Sequence, residues 1–202
     1  MLTSPFLSAL PGIEHGFGTR YSGLTQDAMA SLKQIHSDLV LVADRPTGVI
    51  GEADALVLVE PGVTVSIRTA DCLPILLADT RTGAIAAVHA GWRGTAASIG
   101  VKALERMRTE YCTRPEDVVA AIGPGIGKCC YQVGAEVARQ FGEPQAGKID
   151  LAAYNRRQLE QAGVVQIDVV SPCTYCEGEK FYSYRREGER AGRMISFIRR
   201  VR

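Results

Sequence analysis

Three side chains that are far apart in the sequence could together bind one metal ion. Cys72 lies between two apolar strand-like runs, His89 ends the next run, and His36 lies upstream in the segment LKQIHSDLV. Zinc takes thiolate and imidazole ligands, and catalytic zinc sites usually keep three protein ligands and one open position. The residue types therefore predict one zinc ion held by His36, Cys72 and His89.

The spacing of these residues does not identify a zinc site by itself, because it matches no compact ligand pattern. A single cysteine after a strand more often fills the core, and a single histidine in a strand is more often a buried, hydrogen-bonded side chain. The local context strengthens the prediction. Asp71 and Arg93 are charged groups in apolar surroundings, which is costly unless they serve a site.

Two other chemistries use the same side chains. Cys72 and His89 could form a nucleophile and its general base, with backbone amides near Gly91 as an oxyanion hole. A redox copper centre could also use two histidines and one cysteine. The chain has only three histidines, too few for a multi-copper cluster. We expect the third, His15, to be structural or to support a metal ligand.

Further charged side chains are candidates for substrate binding and proton transfer. Arg20, in a glycine-rich loop, and Arg93 are the favoured arginines for an anionic substrate, because a planar guanidinium group suits phosphate or carboxylate. For each arginine, a surface or structural ion pair explains the sequence equally well. A zinc deaminase also needs a carboxylate that shuttles protons, and Asp71 is the nearest candidate along the chain.

Four other cysteines and one glycine-rich segment need interpretation. Cys129-Cys130 and Cys173-x-x-Cys176 could form a second, thiolate-rich zinc site, but an adjacent pair is poor geometry for chelation and packing is the favoured interpretation. The segment GPGIG (123–127) lacks the lysine-serine ending of a phosphate-binding loop. It is predicted to be a tight turn that brings the backbone near the pocket.

Short apolar segments bounded by glycine, proline or aspartate predict the sheet that must position these residues. The predicted strands cover residues 33–43, 53–60, 63–71, 73–79, 83–89, 118–122, 164–170 and 193–201, and the predicted helices 96–111, 134–141 and 150–163. Alternation in the first strand places Gln34, His36 and Asp38 on one face. FYSYRREG is expected to be an extended edge. The pattern indicates one α+β domain with a large mixed sheet and outer helices.

Length and composition indicate a single domain over residues 1–202. A formal net charge of +1 argues against a nucleic-acid partner, and no run of about 20 apolar residues could cross a membrane. The amino terminus has no basic region and its apolar stretch is interrupted by Pro5 and Pro11, so no signal peptide is predicted. Six cysteines without such a signal favour a reducing compartment. We expect a cytoplasmic monomer whose partners are small molecules.

Several segments together are similar to one known family. In chain order they are HGFGTR (15–20), KQIHSD (33–38), ADALVL (53–58), TADCLPILLAD (69–79), AAVHAGWRGT (86–95), AAIGPGIGKCCYQVG (120–134), and CTYC with FYSYRREG and GR (173–193). They cover nearly the whole chain, and the ADC-P and HAGWRG pieces are specific. The chain thus resembles the YfiH/YlmD family, also called multi-copper polyphenol oxidoreductase or laccase-domain proteins.

The resemblance implies a fold, a metal site and an activity. The implied fold is a single-domain α/β/β/α sandwich with mixed sheets, distantly similar to the catalytic domain of cytotoxic necrotizing factor. The metal ligands of the family fall on His36, Cys72 and His89, with zinc as the cofactor and copper as the alternative. The implied activity is phosphorolysis of adenosine, inosine and methylthioadenosine, with adenosine deamination beside it. Older roles are copper-dependent polyphenol oxidation and correction of peptidoglycan precursors.

The chain departs from the family pattern in one place. Family members carry a longer segment between the arginine motif and the QxH motif, whereas GTRYSGLT here runs almost directly into SLKQIHSD. Loss of a helix and loop near the pocket would widen the pocket, change the substrate, or leave that role to a partner. The three metal ligands are unaffected by this shortening.

Overall fold

A computed structural model describes residues 1–170 and 172–201. The strands are β1 (Ile13–Phe17), β2 (Ala30–Lys33), β3 (Val40–Val42), β4 (Gly48–Glu52), β5 (Ala55–Leu58), β6 (Thr64–Thr69), β7 (Leu73–Asp79), β8 (Ile85–Ala90), β9 (Val118–Ile122), β10 (Gln132–Val133), β11 (Gly147–Lys148), β12 (Gln166–Val169) and β13 (Met194–Arg200). The helices are α1 (Pro5–Ser8), α2 (Trp92–Ala96), α3 (Ile99–Tyr111), α4 (Ala135–Arg139), α5 (Leu151–Gln161) and α6 (Tyr184–Glu187).

Two mixed sheets form the body of the protein. The six-stranded sheet has the order β12-β9-β7-β8-β5-β3, and the five-stranded sheet has the order β1-β13-β6-β2-β4. The central strands β5, β7, β8 and β9 are buried along their whole length. Strands covered on both faces need continuous apolar sequence, which is why these segments show no polar alternation.

Each face of the six-stranded sheet packs against a different layer. Ile75 and Leu77 face α3 and α5, where they join Ile99 and Leu159 in one core. Leu76, between them in β7, faces the five-stranded sheet and belongs to a second core with residues such as Phe17 and Ile198. Because side chains alternate between the two faces of a strand, β7 contributes residues to both cores. The predicted single-domain α+β fold with mixed sheets is confirmed.

Three predicted elements differ from the structure. Residues 34–39 leave the predicted 33–43 strand and form a loop between β2 and β3, because the backbone there wraps around a buried carboxylate. The predicted helix 96–111 begins later, at Ile99, because Ser98 has a φ of +59° and separates α3 from the preceding short helix α2. FYSYRREG is not an extended edge, since residues 184–187 form α6.

The segment between β1 and β2 contacts the five-stranded sheet without forming a regular element. Residues 18–29 contain neither helix nor strand, and Gln26 from this segment donates a hydrogen bond from Nε2 to Oγ of Ser66 at 2.9 Å. Ser66 lies in β6 between Val65 and Ile67, which face the inter-sheet core. An irregular segment therefore contacts the outer face of the five-stranded sheet at this position.

The described helices are short relative to a bilayer. Within residues 1–170 and 172–201, no helix has both the length and the apolar character needed to cross a membrane.

Candidate metal centre

The pairing of β7 with β8 brings Cys72 close to the end of β8 that carries His89. In the β7–β8 pair, Pro74 lies opposite His89 and Leu73 lies opposite Ala90. Continuing this antiparallel register by one residue places Cys72 beside Gly91. The two neighbouring segments of chain thus place Cys72 and His89 at the same end of the sheet.

The three predicted ligands converge. The candidate ligand atoms of His36, Cys72 and His89 all lie within 4.8 Å of one another. The imidazole rings of His36 and His89 are 4.9 Å apart between centroids and 78° from parallel. His36 is exposed, Cys72 half-buried and His89 buried. The cluster thus opens to solvent on the His36 side.

A buried carboxylate that the sequence predictions did not single out organises both histidines. Oδ1 of Asp54 lies 2.7 Å from Nδ1 of His89. An ionised carboxylate only accepts hydrogen bonds, so Nδ1 of His89 carries a proton. Loss of the second ring proton, from Nε2, would then leave a lone pair on Nε2 for a metal. Support of this kind is typical of histidine ligands to metals.

The same carboxylate shapes the loop that carries His36. The backbone amides of Ile35, His36 and Ser37 all donate hydrogen bonds to Asp54, as does the hydroxyl of Ser37. Burial raises the pKa of Asp54, but these donors and His89 outweigh burial and lower the pKa to about 2. The sequence signal was available, since Asp54 is a charged residue inside the apolar run ADALVL.

The close approach of the ligands depends on an unusual backbone conformation at His36 and on the absence of a side chain at Gly91. His36 has a φ of +59°, a left-handed conformation that costs a non-glycine residue free energy and recurs at functional sites. A Cβ at position 91 would lie 2.9 Å from Sγ of Cys72 and 3.4 Å from Cδ2 of His36. Glycine at this position leaves space for the thiol and the imidazole.

The charges of the cluster reinforce one another. Burial raises the pKa of the Cys72 thiol, but the adjacent His89 and His36 imidazoles outweigh it and bring the pKa down to about 6. Burial lowers the pKa of His89, but Cys72 and Asp54 outweigh it and raise the pKa to about 9. The cluster therefore stabilises a thiolate at neutral pH, which is the form that binds a metal or attacks an electrophile.

The donor set fits a single metal ion. One thiolate and two imidazoles, with an approach from solvent, match an open zinc site with three protein ligands. Two imidazoles and one thiolate also match a mononuclear copper site. His15 lies outside the cluster: its Nε2 accepts a hydrogen bond from the amide of Ser4 at 2.8 Å.

Asp71 precedes Cys72 in the chain, and its carboxylate binds residues outside the cluster. The carboxylate accepts hydrogen bonds from the hydroxyls of Thr174 and Ser183 and from the amide of Arg185, at 2.7, 3.0 and 2.7 Å. Asp71 is buried and has a φ of +85°. These contacts support a positioning role, in which Asp71 anchors residues 174–185 next to Cys72, more than the predicted proton transfer.

The two predicted anion-binding arginines lie in different environments. Nη2 of Arg20 is 2.7 Å from Oε1 of Glu187, and its guanidinium lies 4.5 Å from the ring centroid of Tyr182. Its charge already has an internal partner. Arg93 is exposed, with its guanidinium 4.4 Å from the ring centroid of Trp92. Of the two, Arg93 is better placed to bind an anion from solvent.

Two side chains near Cys72 were not among the predicted site residues. Burial raises the pKa of Tyr131 to about 12, with the Cys72 and Asp71 charges adding to the rise and Arg185 and Arg93 opposing it. These charges surround the phenol, which therefore stays protonated at neutral pH. The guanidinium of Arg185 lies 5.4 Å from the Tyr131 ring centroid. Both residues fall within segments that carried the family resemblance, GKCCYQVG and FYSYRREG.

Two further sequence predictions, for the 123–127 segment and for the four clustered cysteines, differ from the structure. The 123–127 segment is extended rather than a tight turn, since the amides of Gly123 and Ile126 donate to carbonyls at the start of β7 and just before it. It is closely packed, because a Cβ at Gly123 would lie 2.2 Å from the Phe17 ring. The packing interpretation of the four remaining clustered cysteines is wrong. Cys129 and Cys176 are exposed, and the other two, Cys130 and Cys173, are only half-buried.

The comparisons with known proteins all identify relatives of one family. A family model described as multi-copper polyphenol oxidoreductase laccase matches residues 18–201. The chain is 43% identical over 186 residues to a purine nucleoside phosphorylase from Deinococcus radiodurans, covering 87% of this chain and 72% of that protein. It is 35% identical over 203 residues to an adenosine deaminase from an unknown prokaryotic organism, covering 88% and 77% of the two chains.

Solved structures show the same fold. The crystal structure of YlmD from Geobacillus stearothermophilus superposes with a TM-score of 0.86 at 27% identity, covering 96% of this chain and 93% of that one. A Neisseria meningitidis protein superposes with a TM-score of 0.85 at 29% identity, covering 98% of each chain.

Proposed function

Because the chain belongs to the multi-copper polyphenol oxidoreductase laccase family, whose YfiH and YlmD members are named purine nucleoside phosphorylases, we propose that it is a metal-dependent purine nucleoside phosphorylase. The proposed substrates are adenosine, inosine and methylthioadenosine, with adenosine deamination as a second activity. The names of these relatives support an enzyme of this family. The substrates and the zinc dependence are part of the proposal.

The observation that carries the proposal is the convergence of His36, Cys72 and His89 around one accessible point. Asp54 holds the imidazole of His89 and the loop of His36 through hydrogen bonds. A purely structural zinc site is usually closed by four protein ligands, whereas an open position is typical of catalysis. His36, Cys72 and His89 would hold zinc, and the zinc would supply Lewis acidity at its open position.

Residues of the chain would bind the two substrates around this point. Arg93, exposed beside the cluster, would bind phosphate through its planar fork. Arg185, next to the Tyr131 ring, supplies a second positive charge. Tyr131 stays protonated because its pKa is about 12, and its hydroxyl can donate a hydrogen bond to the purine.

Phosphorolysis can be written with all atoms accounted for. A phosphate oxygen forms a bond to C1′ of the ribose while the C1′–N9 bond breaks. The purine leaves with the electron pair of that bond and takes up one proton, giving ribose 1-phosphate and the free base. Positioning both substrates accounts for much of the rate enhancement that such a displacement needs, and Arg93 and Arg185 would hold the anionic nucleophile.

A nucleoside panel, assayed with and without phosphate on zinc-loaded protein, tests the proposal. Phosphate-dependent release of adenine or hypoxanthine from the wild type, absent in Cys72→Ala and retained in Cys112→Ser, would support it. Cys112 is an exposed, free cysteine outside the cluster, so the second variant controls for thiol loss. Inosine formation from adenosine without phosphate would report deamination.

Parallel assays separate the alternatives. Copper-dependent oxidation of a phenol with no purine release would overturn the phosphorylase proposal in favour of the oxidoreductase. The second candidate is a cysteine hydrolase that needs no metal, such as an enzyme that edits peptidoglycan precursors. The lowered pKa of the Cys72 thiol favours it, because a thiolate is the nucleophile in such enzymes. For such an enzyme, alkylation of Cys72 would abolish turnover and a chelator would not. Zinc binding without turnover of any substrate would indicate a non-catalytic module.

The proposal includes the cellular setting. We expect a cytoplasmic monomer that binds a nucleoside and phosphate, with neither nucleic acid nor membrane as a partner. Light scattering after size-exclusion chromatography would test the monomer, and a second peak at twice the mass would contradict it.

A further inference from the structure

Four cysteines outside the candidate metal centre meet at one point on the surface. Cys129 and Cys130 follow the glycine-rich segment after β9, and Cys173 and Cys176 lie before α6. The four sulfur atoms all lie within 4.8 Å of one another. Segments more than forty residues apart in sequence thus place four thiols together.

The sulfur distances are those of a metal-thiolate centre. Sγ of Cys176 lies 3.6 Å from Sγ of Cys129 and 3.4 Å from Sγ of Cys130, far beyond a disulfide bond of about 2.05 Å. Four sulfurs at about 2.3 Å from a tetrahedral zinc ion lie about 3.8 Å from one another. Small side-chain rotations would bring these thiols to that spacing.

The backbone around the cysteines is arranged to hold them. Gly125 pairs with Cys173 in a parallel bridge, and the amide of Thr174 donates to the carbonyl of Gly125 at 3.0 Å. The amide of Gly127 donates to Sγ of Cys173 at 3.2 Å. Hydrogen bonds from amides orient and stabilise ligating thiolates, as partners of metal ligands commonly do.

Glycine at position 127 leaves room for the sulfurs. A Cβ there would lie 3.1 Å from Cβ of Cys173 and 3.3 Å from Sγ of Cys129. Contacts at these distances would push two of the four cysteines out of position.

A positive charge near the cluster also suits a centre of thiolates. Nζ of Lys148 donates a hydrogen bond to the carbonyl of Cys129 at 2.8 Å.

Hydrophobic packing does not account for this cluster. Cys129 and Cys176 are exposed, so their thiols remove little apolar surface from water. The four ligand atoms are all sulfur, and a set of four thiolates in tetrahedral reach selects zinc among the common divalent ions. A zinc ion with four thiolates carries a net charge of about −2, which Lys148 would partly offset.

We propose that Cys129, Cys130, Cys173 and Cys176 bind a second zinc ion in a closed, structural site. The site would join the 123–131 segment to the 173–176 turn. Thr174 donates to the carboxylate of Asp71, and Ile126 donates to its carbonyl. The second zinc would therefore stabilise the 123–131 segment, which carries Tyr131 close to the first metal site. This inference does not depend on the proposed activity.

Metal analysis of the reduced, full-length protein purified with zinc tests the site directly. The wild type is expected to hold two zinc ions per chain, and Cys112→Ser is the matched control that keeps both. A Cys173→Ser/Cys176→Ser variant should lose one ion and keep the other. A His36→Ala/Cys72→Ser variant should lose the complementary ion.

Two further measurements keep the test decisive even where a variant of the four clustered cysteines fails to fold. Replacement of zinc by cobalt should give intense thiolate-to-metal absorption, most of which survives in Cys72→Ser. Alkylation mapped by mass spectrometry should show Cys129, Cys130, Cys173 and Cys176 protected until a chelator is added, with Cys112 modified throughout.

Specific results would overturn the second site. One such result is a single zinc ion in the wild type that disappears in Cys72→Ser. Another is equal alkylation of Cys129, Cys176 and Cys112 in zinc-loaded protein. Disulfide formation within the cluster of zinc-loaded protein, with no release of metal, would show a redox pair in place of a zinc site.

Discussion

Oδ1 of Asp54 lies 2.7 Å from Nδ1 of His89, and the same carboxylate accepts hydrogen bonds from the amides that precede and include His36. One buried side chain thereby orients the His89 imidazole and holds the backbone of the loop that carries His36. Asp54 immediately precedes β5, and pairing with β8 fixes its position, because the amide of His89 donates to the carbonyl of Asp54 at 2.7 Å.

Replacement of Asp54 should weaken the metal site while leaving its three ligands in the chain. In Asp54→Asn, one carboxylate oxygen becomes an amide NH₂ that faces the donors of residues 35–37. We expect zinc affinity to fall by about 10–100-fold, as for other partners of metal-binding histidines. Competition with a chromophoric chelator measures this change.

The matched control for that variant is Asp79→Asn. Asp79 is also a buried carboxylate, and it accepts hydrogen bonds from residues 81 and 82 in the β7–β8 turn. Its replacement should lower the free energy of unfolding without changing zinc affinity. Equal zinc affinity in Asp54→Asn and Asp79→Asn would contradict the role given to Asp54.

The space above Cys72 should be necessary for metal binding. In Gly91→Ala, the new methyl group would lie 2.9 Å from Sγ of Cys72, so the thiol must move. We expect loss of zinc from this site with the circular dichroism spectrum unchanged. Gly134→Ala is the control, since a Cβ there has no neighbour within 4 Å. Full zinc content in Gly91→Ala would show that the site tolerates displacement of the thiol.

Arg93 should contribute to phosphate binding more than to nucleoside binding. In Arg93→Ala, the KM for phosphate is expected to rise about tenfold, or about 1.4 kcal/mol, with a smaller change in the KM for inosine. Arg68→Ala, which removes an exposed arginine from β6, should leave both constants unchanged. Equal effects of the two variants would indicate only a general loss of positive charge.

Acidification should weaken the fold through His15. Burial lowers the pKa of His15 below its ordinary value of 6.5, and nearby Asp168 opposes the shift only in part. The unfolded chain therefore binds a proton before the folded chain does, so the stability from this residue is present above pH 6.5 and is lost as the pH falls. Protonation of Nε2 would also break the hydrogen bond from Ser4.

Urea unfolding of the wild type and His15→Gln at about pH 7.5 and about pH 5.5 measures this effect. The free energy of unfolding should fall more on acidification in the wild type than in the variant, because glutamine does not titrate. Parallel pH dependence of the two proteins would exclude His15 as the source.

Much of the fold was predictable because apolar runs define buried strands with little ambiguity. The segments that became β5, β7, β8 and β9 were all predicted, since a strand covered on both faces has no polar alternation to obscure it. The loop at 34–39 was not predictable in the same way. Its amides bind Asp54, which lies 17 to 19 positions further along the chain, and local propensity carries no information about that contact.

The sequence by itself determined the ligand types and, through family motifs, the trio of His36, Cys72 and His89. Only the tertiary structure decided how those atoms meet, because strand register sets Cys72 beside Gly91 and Asp54 beside His89. It also decided that four scattered cysteines form one cluster. The physical reason is the same in both cases: a binding site depends on distances between atoms, and chain separation does not specify those distances until the sheets and turns pack.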